Sequence, residues 1–332
     1  MGGPLKTLPR LRIGHLPTAV EPMSRLAATL GGPALYIKRD DQTGLAMGGN
    51  KTRKLELLIA EAQANGARML ITAGAIQSNH CRQTVAAAAR FGFECTLVLY
   101  PSTPTDALPA ADEPATGNLL LDKLFGAKIV WTQRATRDQT LNDTFQAAWE
   151  AGKRPYLIPY GGSNAVGAAA YVLAMQEFLA QNQPVDWIIF PSSSGGTQAG
   201  LALGSRLFGF SGKVLGISVD EPADVLQDRV AGLASATADL LGEKANFGPD
   251  DILVNADYLG TGYGVMGGIE QEAIHLFARN EGVLLDPVYT GRAAGGMIDL
   301  IRKGFFKVGE KVLFWHTGGS PALFANRYQD QF

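Results

Sequence analysis

Short apolar runs that alternate with longer helical segments limit the fold of this chain more than any other feature. Three of these runs, Met69–Thr72, Thr96–Tyr100 and Trp187–Ile189, have the length and side chains of buried strands. Helical patterns separate them, and Glu21–Leu30 has the pattern of a first helix. Regular alternation of strand and helix is typical of parallel sheets that helices cover on both faces. The sequence therefore predicts an α/β fold built on parallel sheets.

Chain length and glycine-containing loops indicate how this fold is divided. A chain of 332 residues is too long for one small core and predicts two lobes, or one large domain with an insertion. The best boundaries are the loop that contains Lys51 and the loop at Gly161 and Gly162. We therefore expect a small α/β domain over residues 53–161 and a large cofactor-binding domain formed by residues 1–52 and 162–332. The cleft between two such lobes is the expected ligand site.

Composition argues against several classes of partner and site. The chain has 29 basic and 31 acidic residues, so a basic surface for nucleic acid or an anionic membrane is not expected. No apolar run is long enough to span a bilayer. Two cysteines, Cys81 and Cys95, are too few for a disulfide framework, and Met1–Gly14 lacks the apolar core of a secretory signal, which favours the cytoplasm. Four histidines give no support to a metal site, and we expect none.

A lysine follows two glycines and an asparagine at the start of a predicted helix, in the segment Gly48–Lys51. Glycine allows the backbone to approach a ligand closely. A lysine in such a loop can be stripped of water, which lowers its pKa and frees the amine to attack a carbonyl. The alternative is a loop lysine at the end of a surface helix, and this short motif taken alone favours that alternative.

Two further turns connect a predicted strand to a predicted helix. Ser192–Thr197 combines glycines with a helix start, whose amide groups and partial positive charge suit a phosphate. It lacks the lysine of a Walker A loop and the spacing of a dinucleotide fingerprint, and an ordinary tight turn is the alternative. In Gln77–His80, the functional interpretation places Ser78 and Asn79 in the cleft opposite the lysine. Serine or asparagine at such a position is, however, ordinarily a helix cap.

Loops in the last third of the chain add further candidates. Tyr263 and Tyr289 stand in loops flanked by glycine or proline, outside any periodic segment. Loop aromatics of this kind often face a ligand, although many pack on the surface. Thr317 precedes Gly318 and Gly319 after the last predicted strand, where the backbone can again approach a ligand closely.

The order and intervals of these motifs resemble a known family. Asn50–Lys54, Gln77–His80, Ser194–Thr197 and His316–Gly319 together resemble the pyridoxal-phosphate enzymes of the tryptophan-synthase β type. The set is most similar to the branch that holds D-cysteine desulfhydrase and 1-aminocyclopropane-1-carboxylate (ACC) deaminase. The resemblance covers nearly the whole chain. It implies the two-lobed fold type II, a homodimer, and pyridoxal 5′-phosphate as the cofactor between the lobes.

The resemblance also implies roles for individual residues. Lys51 would bond covalently to the cofactor, and Asn79 would hydrogen-bond the 3′ oxygen of its ring. Ser78 would bind the substrate carboxylate or assist proton transfer. The implied cofactor-binding residues are Asn50, Lys51, Asn79, Ser194, Gly195, Gly196, Thr197 and Thr317, with Ser194–Thr197 around the phosphate. The implied catalytic residues are Lys51, Ser78, Tyr263 and Tyr289, the tyrosines bounding the substrate and assisting its thiol.

Two positions separate the branches of this family. In ACC deaminases a glutamate follows the tyrosine of the Asp-Pro-Val-Tyr loop and meets the pyridine nitrogen, and a leucine stands in the last glycine turn. This chain has Thr290 and Thr317 there. A threonine would not hold a proton on the ring, which suits elimination of a good leaving group better than opening a cyclopropane. We therefore expect a carbon–sulfur lyase that takes a small amino acid, first of all D-cysteine, to sulfide, pyruvate and ammonia.

Other functions remain open at this point. L-cysteate, which would release sulfite, is the second candidate substrate, and Arg82, Arg292 or other cations are candidates to bind its sulfonate. ACC is the third. From a different class, the chain could be a phosphate- or nucleotide-binding α/β protein without covalent chemistry.

Overall fold

Two sheets form the framework of the structure, a computed structural model that describes residues 6–103, 107–110 and 112–332. The strands of this part of the chain are Val20–Pro22 (β1), Ala34–Lys38 (β2), Met69–Ala75 (β3), Glu94–Tyr100 (β4), Lys128–Trp131 (β5), Pro155–Leu157 (β6), Trp187–Ser192 (β7), Lys213–Ser218 (β8), Leu253–Asn255 (β9) and Lys311–Trp315 (β10). The larger sheet has the order β1-β2-β10-β7-β8-β9, and the smaller sheet has the order β5-β4-β3-β6. All pairings except β1 with β2 are parallel, which confirms the predicted α/β fold.

Helices cover both sheets. In chain order the described α-helices are Ser24–Leu30 (α1), Lys51–Ala64 (α2), Asn79–Phe91 (α3), Gly117–Leu124 (α4), Arg137–Glu150 (α5), Ala165–Ala180 (α6), Gly196–Phe208 (α7), Ala223–Leu241 (α8), Gly268–Glu281 (α9), Thr290–Arg302 (α10) and Asn326–Gln329 (α11). None of the helices in the described residues is long and apolar enough to cross a membrane.

The first helix ends at Leu30 as predicted but starts at Ser24 and not at Glu21, and α10 is not predicted from the sequence. Glu21 lies in β1, opposite Ile37 of β2, and α1 begins only at Ser24. Three residues at a sheet edge are too few to give a detectable alternation. In α10, Gly295 and Gly296 lower the helix propensity. A Cβ added at Gly296 would lie 2.7 Å from the Tyr258 ring, so the glycine allows close packing there.

Helix α2 lies between the two sheets and carries Lys51 at its start. Leu55, Leu58 and Ile59 pack in the core of the smaller sheet, whereas Leu57 packs against α6 and α7. All four strands of the smaller sheet fall within residues 53–161. The exact division of the chain at these boundaries stays a prediction, and residues 1–5 of the predicted large domain lie outside the described residues.

A buried ionic network fixes α2 to the larger sheet. Arg53, two residues after Lys51, donates to Asp40 at 2.8 and 2.9 Å and to Glu177 at 2.9 Å. Burial alone would raise the pKa of Asp40, but the Arg53 guanidinium lowers it to about 2. Because removing one member of a buried pair leaves an uncompensated charge, this network holds the start of α2 in one position.

Candidate active site

A cleft with about 610 Å³ of open space lies where the turns after β3, β7 and β10 meet the start of α2. Nine of the predicted site residues line it: Asn50, Lys51, Ser78, Asn79, Ser194, Gly195, Thr197, Tyr289 and Thr317. The other two, Gly196 and Tyr263, are not part of this lining; Gly196 follows Gly195 in the chain, and the Tyr263 hydroxyl lies 2.6 Å from that of Tyr289. Carboxyl ends of parallel strands are where α/β proteins ordinarily bind ligands.

Lys51 is the first residue of α2, and its side chain lies in the cleft. Burial lowers its pKa to about 8; Asp286 opposes this shift and Arg82 adds to it. Its Nζ atom lies 3.2 Å from Asn50 Oδ1. A primary amine with this pKa is uncharged in an appreciable fraction at neutral pH and can act as a nucleophile or a base.

Asn50 ties three of the cleft segments together. Its Nδ2 donates to Thr197 Oγ1 at 3.0 Å, and its backbone N–H donates to the carbonyl of Thr317 at 2.9 Å. The same side chain accepts from Lys51 through Oδ1. The lysine is therefore held at a fixed place relative to the turns after β7 and β10.

The turn after β7 forms a cradle that side chains would fill. Gly195 has φ of 85°, a left-handed conformation that favours glycine, and α7 starts at the next residue. A Cβ added at Gly196 would lie 2.7 Å from Ser163 Oγ, and one added at Gly161 would clash with Ser194 Oγ. The backbone N–H of Gly196 donates to Ser163 Oγ at 3.2 Å. A helix start exposed in such a cradle suits an anion.

Lys54 is a site residue that the sequence analysis misses. It is buried, and its Nζ donates to the carbonyl of Gly161 and to Ser163 Oγ, both at 3.0 Å. Burial, reinforced by the charge of Lys51, keeps its pKa well below the ordinary value for lysine. Residues three apart share one face of a helix, so the spacing from Lys51 could have indicated it. The Lys54 amine therefore lies beside the cradle, and no carboxylate among the described residues is paired with it.

Ser78 and Asn79 both make hydrogen bonds within the protein and also line the cleft. Ser78 caps α3 by accepting a bond from the N–H of Cys81 at 3.2 Å, and its side chain also lines the cleft. Asn79 Oδ1 accepts from Arg82 at 2.6 Å and from Asn118 at 3.0 Å. Because its oxygen has these partners, its Nδ2 is the atom left to donate to a ligand.

Two tyrosine hydroxyls meet at one side of the cleft. Tyr289 lines it, and the hydroxyl of Tyr263 lies 2.6 Å from that of Tyr289. Burial raises the pKa of both phenols well above the ordinary value, so both keep their protons at neutral pH. Tyr160, which the sequence analysis does not single out, lines the cleft as well.

His80 also lines the cleft and is neutral at physiological pH. Its Nε2 lies 2.9 Å from Thr72 Oγ1, and its buried Nδ1 has no hydrogen-bond partner among the described residues. Burial and the charges of Lys51 and Lys54 keep its pKa well below the ordinary value.

Three expectations about polar residues are corrected. Thr290 does not line the cleft, and its hydroxyl donates to Asp286 Oδ1 at 2.7 Å. Thr317, in contrast, lines the cleft. Arg82 and Arg292 are buried and bonded elsewhere, Arg82 to Asn79 and Arg292 to Glu270 at 2.6 Å. Neither arginine belongs to the lining of the cleft, so neither is placed to bind a sulfonate there.

Comparison with known proteins identifies the family. The model of a family described as pyridoxal-phosphate dependent enzyme matches residues 11–318. The chain belongs to this family of pyridoxal-phosphate dependent enzymes. The residues of the cleft fit the cofactor: Lys51 offers an amine for its aldehyde, and the glycine cradle with Lys54 offers a site for its phosphate. Membership in the family rules out the alternative of a binding protein without covalent chemistry.

Relatives of this pyridoxal-phosphate enzyme are similar over almost their whole length. The D-cysteine desulfhydrase of Salmonella paratyphi C (strain RKS4594) is 44% identical over 97% of both chains, and that of Salmonella typhi is 43% identical over the same share. A crystal structure of an ACC deaminase homologue has a TM-score of 0.87 at 35% identity, covering 98% of this chain and 95% of that one. A hydrogen sulfide-producing enzyme from Fusobacterium nucleatum has a TM-score of 0.64 at 16% identity, over 93% of this chain and 97% of that one. This last likeness concerns the fold alone.

Proposed function

We propose that this enzyme eliminates sulfide from D-cysteine, so that D-cysteine and water give hydrogen sulfide, pyruvate and ammonia. The substrate follows from the Salmonella relatives, which are named D-cysteine desulfhydrase and are similar over 97% of both chains. The observation that carries the chemistry is Lys51, whose amine lies in the cleft with its pKa lowered to about 8 by burial.

We assign the cofactor contacts from the donors that the cleft presents. The cradle Ser194–Thr197, the start of α7 and Lys54 would hold the phosphate. Asn79 would donate through Nδ2 to the 3′ oxygen of the ring. The Thr317 hydroxyl would meet the ring nitrogen, and because it is uncharged it would not keep that nitrogen protonated. Asn50 would hold Lys51 in line with these groups.

Lys51 is our choice for the base that removes the α-proton of the substrate. Bound pyridoxal phosphate supplies the electron sink that stabilises the negative charge left on the α-carbon. Of the titratable groups with shifted pKa in the cleft lining, Lys51 titrates nearest to neutral pH, whereas burial takes His80 and Tyr289 away from it. Efficient proton transfer requires a pKa close to the working pH. Ser78, at the start of α3, would bind the substrate carboxylate or assist this transfer.

The tyrosine pair would supply the proton that the leaving sulfur needs. Tyr289 faces the cleft and keeps its proton at neutral pH, so its hydroxyl can donate to a departing thiolate. Tyr263, 2.6 Å away, would orient the Tyr289 hydroxyl and return a proton to it.

Pyruvate formation from D-cysteine by the cofactor-loaded protein tests the proposal. We expect wild type and the exposed-lysine variant Lys303→Ala to form pyruvate at similar rates and Lys51→Ala to form none. Borohydride reduction of the wild type should fix the cofactor to the peptide that contains Lys51. An active Lys51→Ala protein loaded with cofactor would overturn the assignment of the lysine.

Two other substrates follow after D-cysteine. L-cysteate is less favoured as a substrate, because Arg82 and Arg292, the two arginines named as candidates to bind its sulfonate, are bonded elsewhere. ACC is favoured by the similarity to an ACC deaminase homologue, but the Thr317 hydroxyl in the cleft opposes it. Sulfite release from L-cysteate and 2-oxobutanoate release from ACC distinguish these two from sulfide release.

We further propose a homodimer in the cytoplasm. The homodimer rests on the resemblance to the family, and sedimentation of the purified protein tests it. The location rests on Cys81 and Cys95, which are buried and unpaired, as in a protein of a reducing compartment. Fractionation of cells that produce the protein tests the location.

A further inference from the structure

A second pocket, rich in arginine, adjoins the cleft, and its arginines take no part in the chemistry proposed above. It has about 750 Å³ of open space and shares Tyr160 and Ser194 with the cleft. Its charged lining residues are Arg134, Arg137, Asp220, Glu221 and Arg229. In contrast, no arginine of the described part of the chain lines the cleft itself.

The arginines of this outer pocket are not all neutralised. Arg229 is paired with Glu221 at 2.7 Å, so these two charges compensate each other. Arg137 is paired at 2.8 Å with Asp138, which is 76% exposed and does not line the pocket. Arg134 lies over the ring of Tyr263, with 6.0 Å between its Cζ atom and the ring centroid, and its charge also acts on the carboxyl group of Asp220. The lining of the pocket has three arginines and two carboxylates, which leaves an excess of one positive charge.

Asp220 offsets one of the three arginine charges of the lining. Its Oδ2 accepts from Ser193 Oγ at 2.8 Å, while its buried Oδ1 has no hydrogen-bond partner among the described residues. Burial raises the pKa of Asp220, with opposing effects from Ser193, Arg229 and Arg134 and a reinforcing one from Glu221.

Tyr160 stands between the outer pocket and the cleft. It lines both, and the Arg137 guanidinium lies 5.3 Å from the centroid of its ring. A longer side chain on an amino acid bound in the cleft would therefore have to pass the Tyr160 ring to reach Arg137. The side chain of D-cysteine carries no carboxylate for these arginines.

We propose that the outer pocket is an anion subsite, which binds an acidic group at the far end of the side chain of a D-amino acid. The proposal rests on the proposed function, because it takes the cleft as the amino-acid site. It extends the substrate class from D-cysteine to D-amino acids whose β-substituent ends in a carboxylate, such as S-carboxymethyl-D-cysteine.

The test compares two ligands that differ only in charge. D-2-aminoadipate has the length of S-carboxymethyl-D-cysteine with a methylene in place of sulfur, so it has no leaving group, and D-homoglutamine is its neutral amide. Calorimetric titration of the cofactor-loaded wild type should give about tenfold tighter binding of the acid, and this ratio should fall as salt is raised. Equal binding of the two ligands would overturn the proposal.

Variants assign the effect to the pocket. Arg134→Gln should bring the ratio of the two affinities close to one, Arg134→Lys should restore most of it, and the exposed-surface variant Arg25→Gln should leave it at the wild-type value. An unchanged ratio in Arg134→Gln, with its cofactor absorbance intact, would contradict the role of this arginine. Because these ligands are not turned over, the result does not depend on sulfide release. A failure of the proposed function would show separately, as a lack of pyruvate from D-cysteine.

Discussion

Replacement of Lys51 by methionine should stabilise the cofactor-free protein, by an amount that depends on pH. Burial lowers the pKa of Lys51 from 10.5 to about 8, so the folded state resists the charged form. The charged form is therefore disfavoured in the folded protein by about 3 kcal/mol, at 1.36 kcal/mol per pKa unit. Methionine has a similar volume and no charge, and removes this cost.

The sign follows from the two pKa values. The cost is fully present below the folded pKa of about 8 and fades as the pH rises to the unfolded value of 10.5. Lys51→Met should thus exceed wild type in free energy of unfolding by about 3 kcal/mol at pH 7 and by only about 1 kcal/mol at pH 9.5.

Urea unfolding of the cofactor-free proteins at these two pH values measures the difference. Lys303→Met is the matched control, since the Lys303 side chain is 66% exposed. The free energy of unfolding of Lys303→Met should differ little from that of wild type at both pH values. A Lys51→Met difference that is equal at pH 7 and pH 9.5 would refute the argument that burial shifts this lysine.

Three further variants test other parts of the site. Lys54→Met should weaken pyridoxal-phosphate binding by about 10- to 100-fold, because a charge-assisted bond to the phosphate is worth about 1.5–3 kcal/mol. Titration of the cofactor-free protein with pyridoxal phosphate measures this affinity. An unchanged affinity would exclude Lys54 from the phosphate site. Tyr263→Phe should lower kcat for D-cysteine by about 3- to 10-fold, because it loses the hydrogen bond to Tyr289. The control Tyr258→Phe should not lower kcat, since the Tyr258 hydroxyl donates to Asp299. Equal kcat values for the two variants would contradict a catalytic role for the Tyr263–Tyr289 hydrogen bond. Gly161→Ala should weaken cofactor binding, because its Cβ meets Ser194. The control Gly242→Ala has a similar positive φ but nothing within 4 Å of its Cβ, so it should leave cofactor binding unchanged. Equal effects of the two variants on cofactor affinity would argue against the cradle.

The sequence predicts most of the cleft because its motifs follow the ends of strands. Ser78 comes after β3, Ser194 after β7 and Thr317 after β10, and parallel strands bring these ends to one edge. The order of the motifs also identified the family, which the family comparison confirmed. Such information is local in the sequence and needs only the direction of the strands.

Residues that depend on packing between distant segments are not predicted. Tyr160 reaches the cleft because the loop after β6 folds beside the turn after β7. No local sequence pattern predicts this contact. Thr290 was expected near the ring nitrogen from its position in the motif, but its hydroxyl completes a turn with Asp286. Lys54 could have been found from helical spacing, whereas its burial beside Ser163 could not.

Sulfide release from D-cysteine and L-cysteine by the protein loaded with pyridoxal phosphate tests the central claim most directly. We predict rapid sulfide release from the D-isomer, with matching amounts of pyruvate, and little from the L-isomer. Absence of sulfide from both isomers, in a protein whose cofactor is bound to Lys51, would contradict the claim.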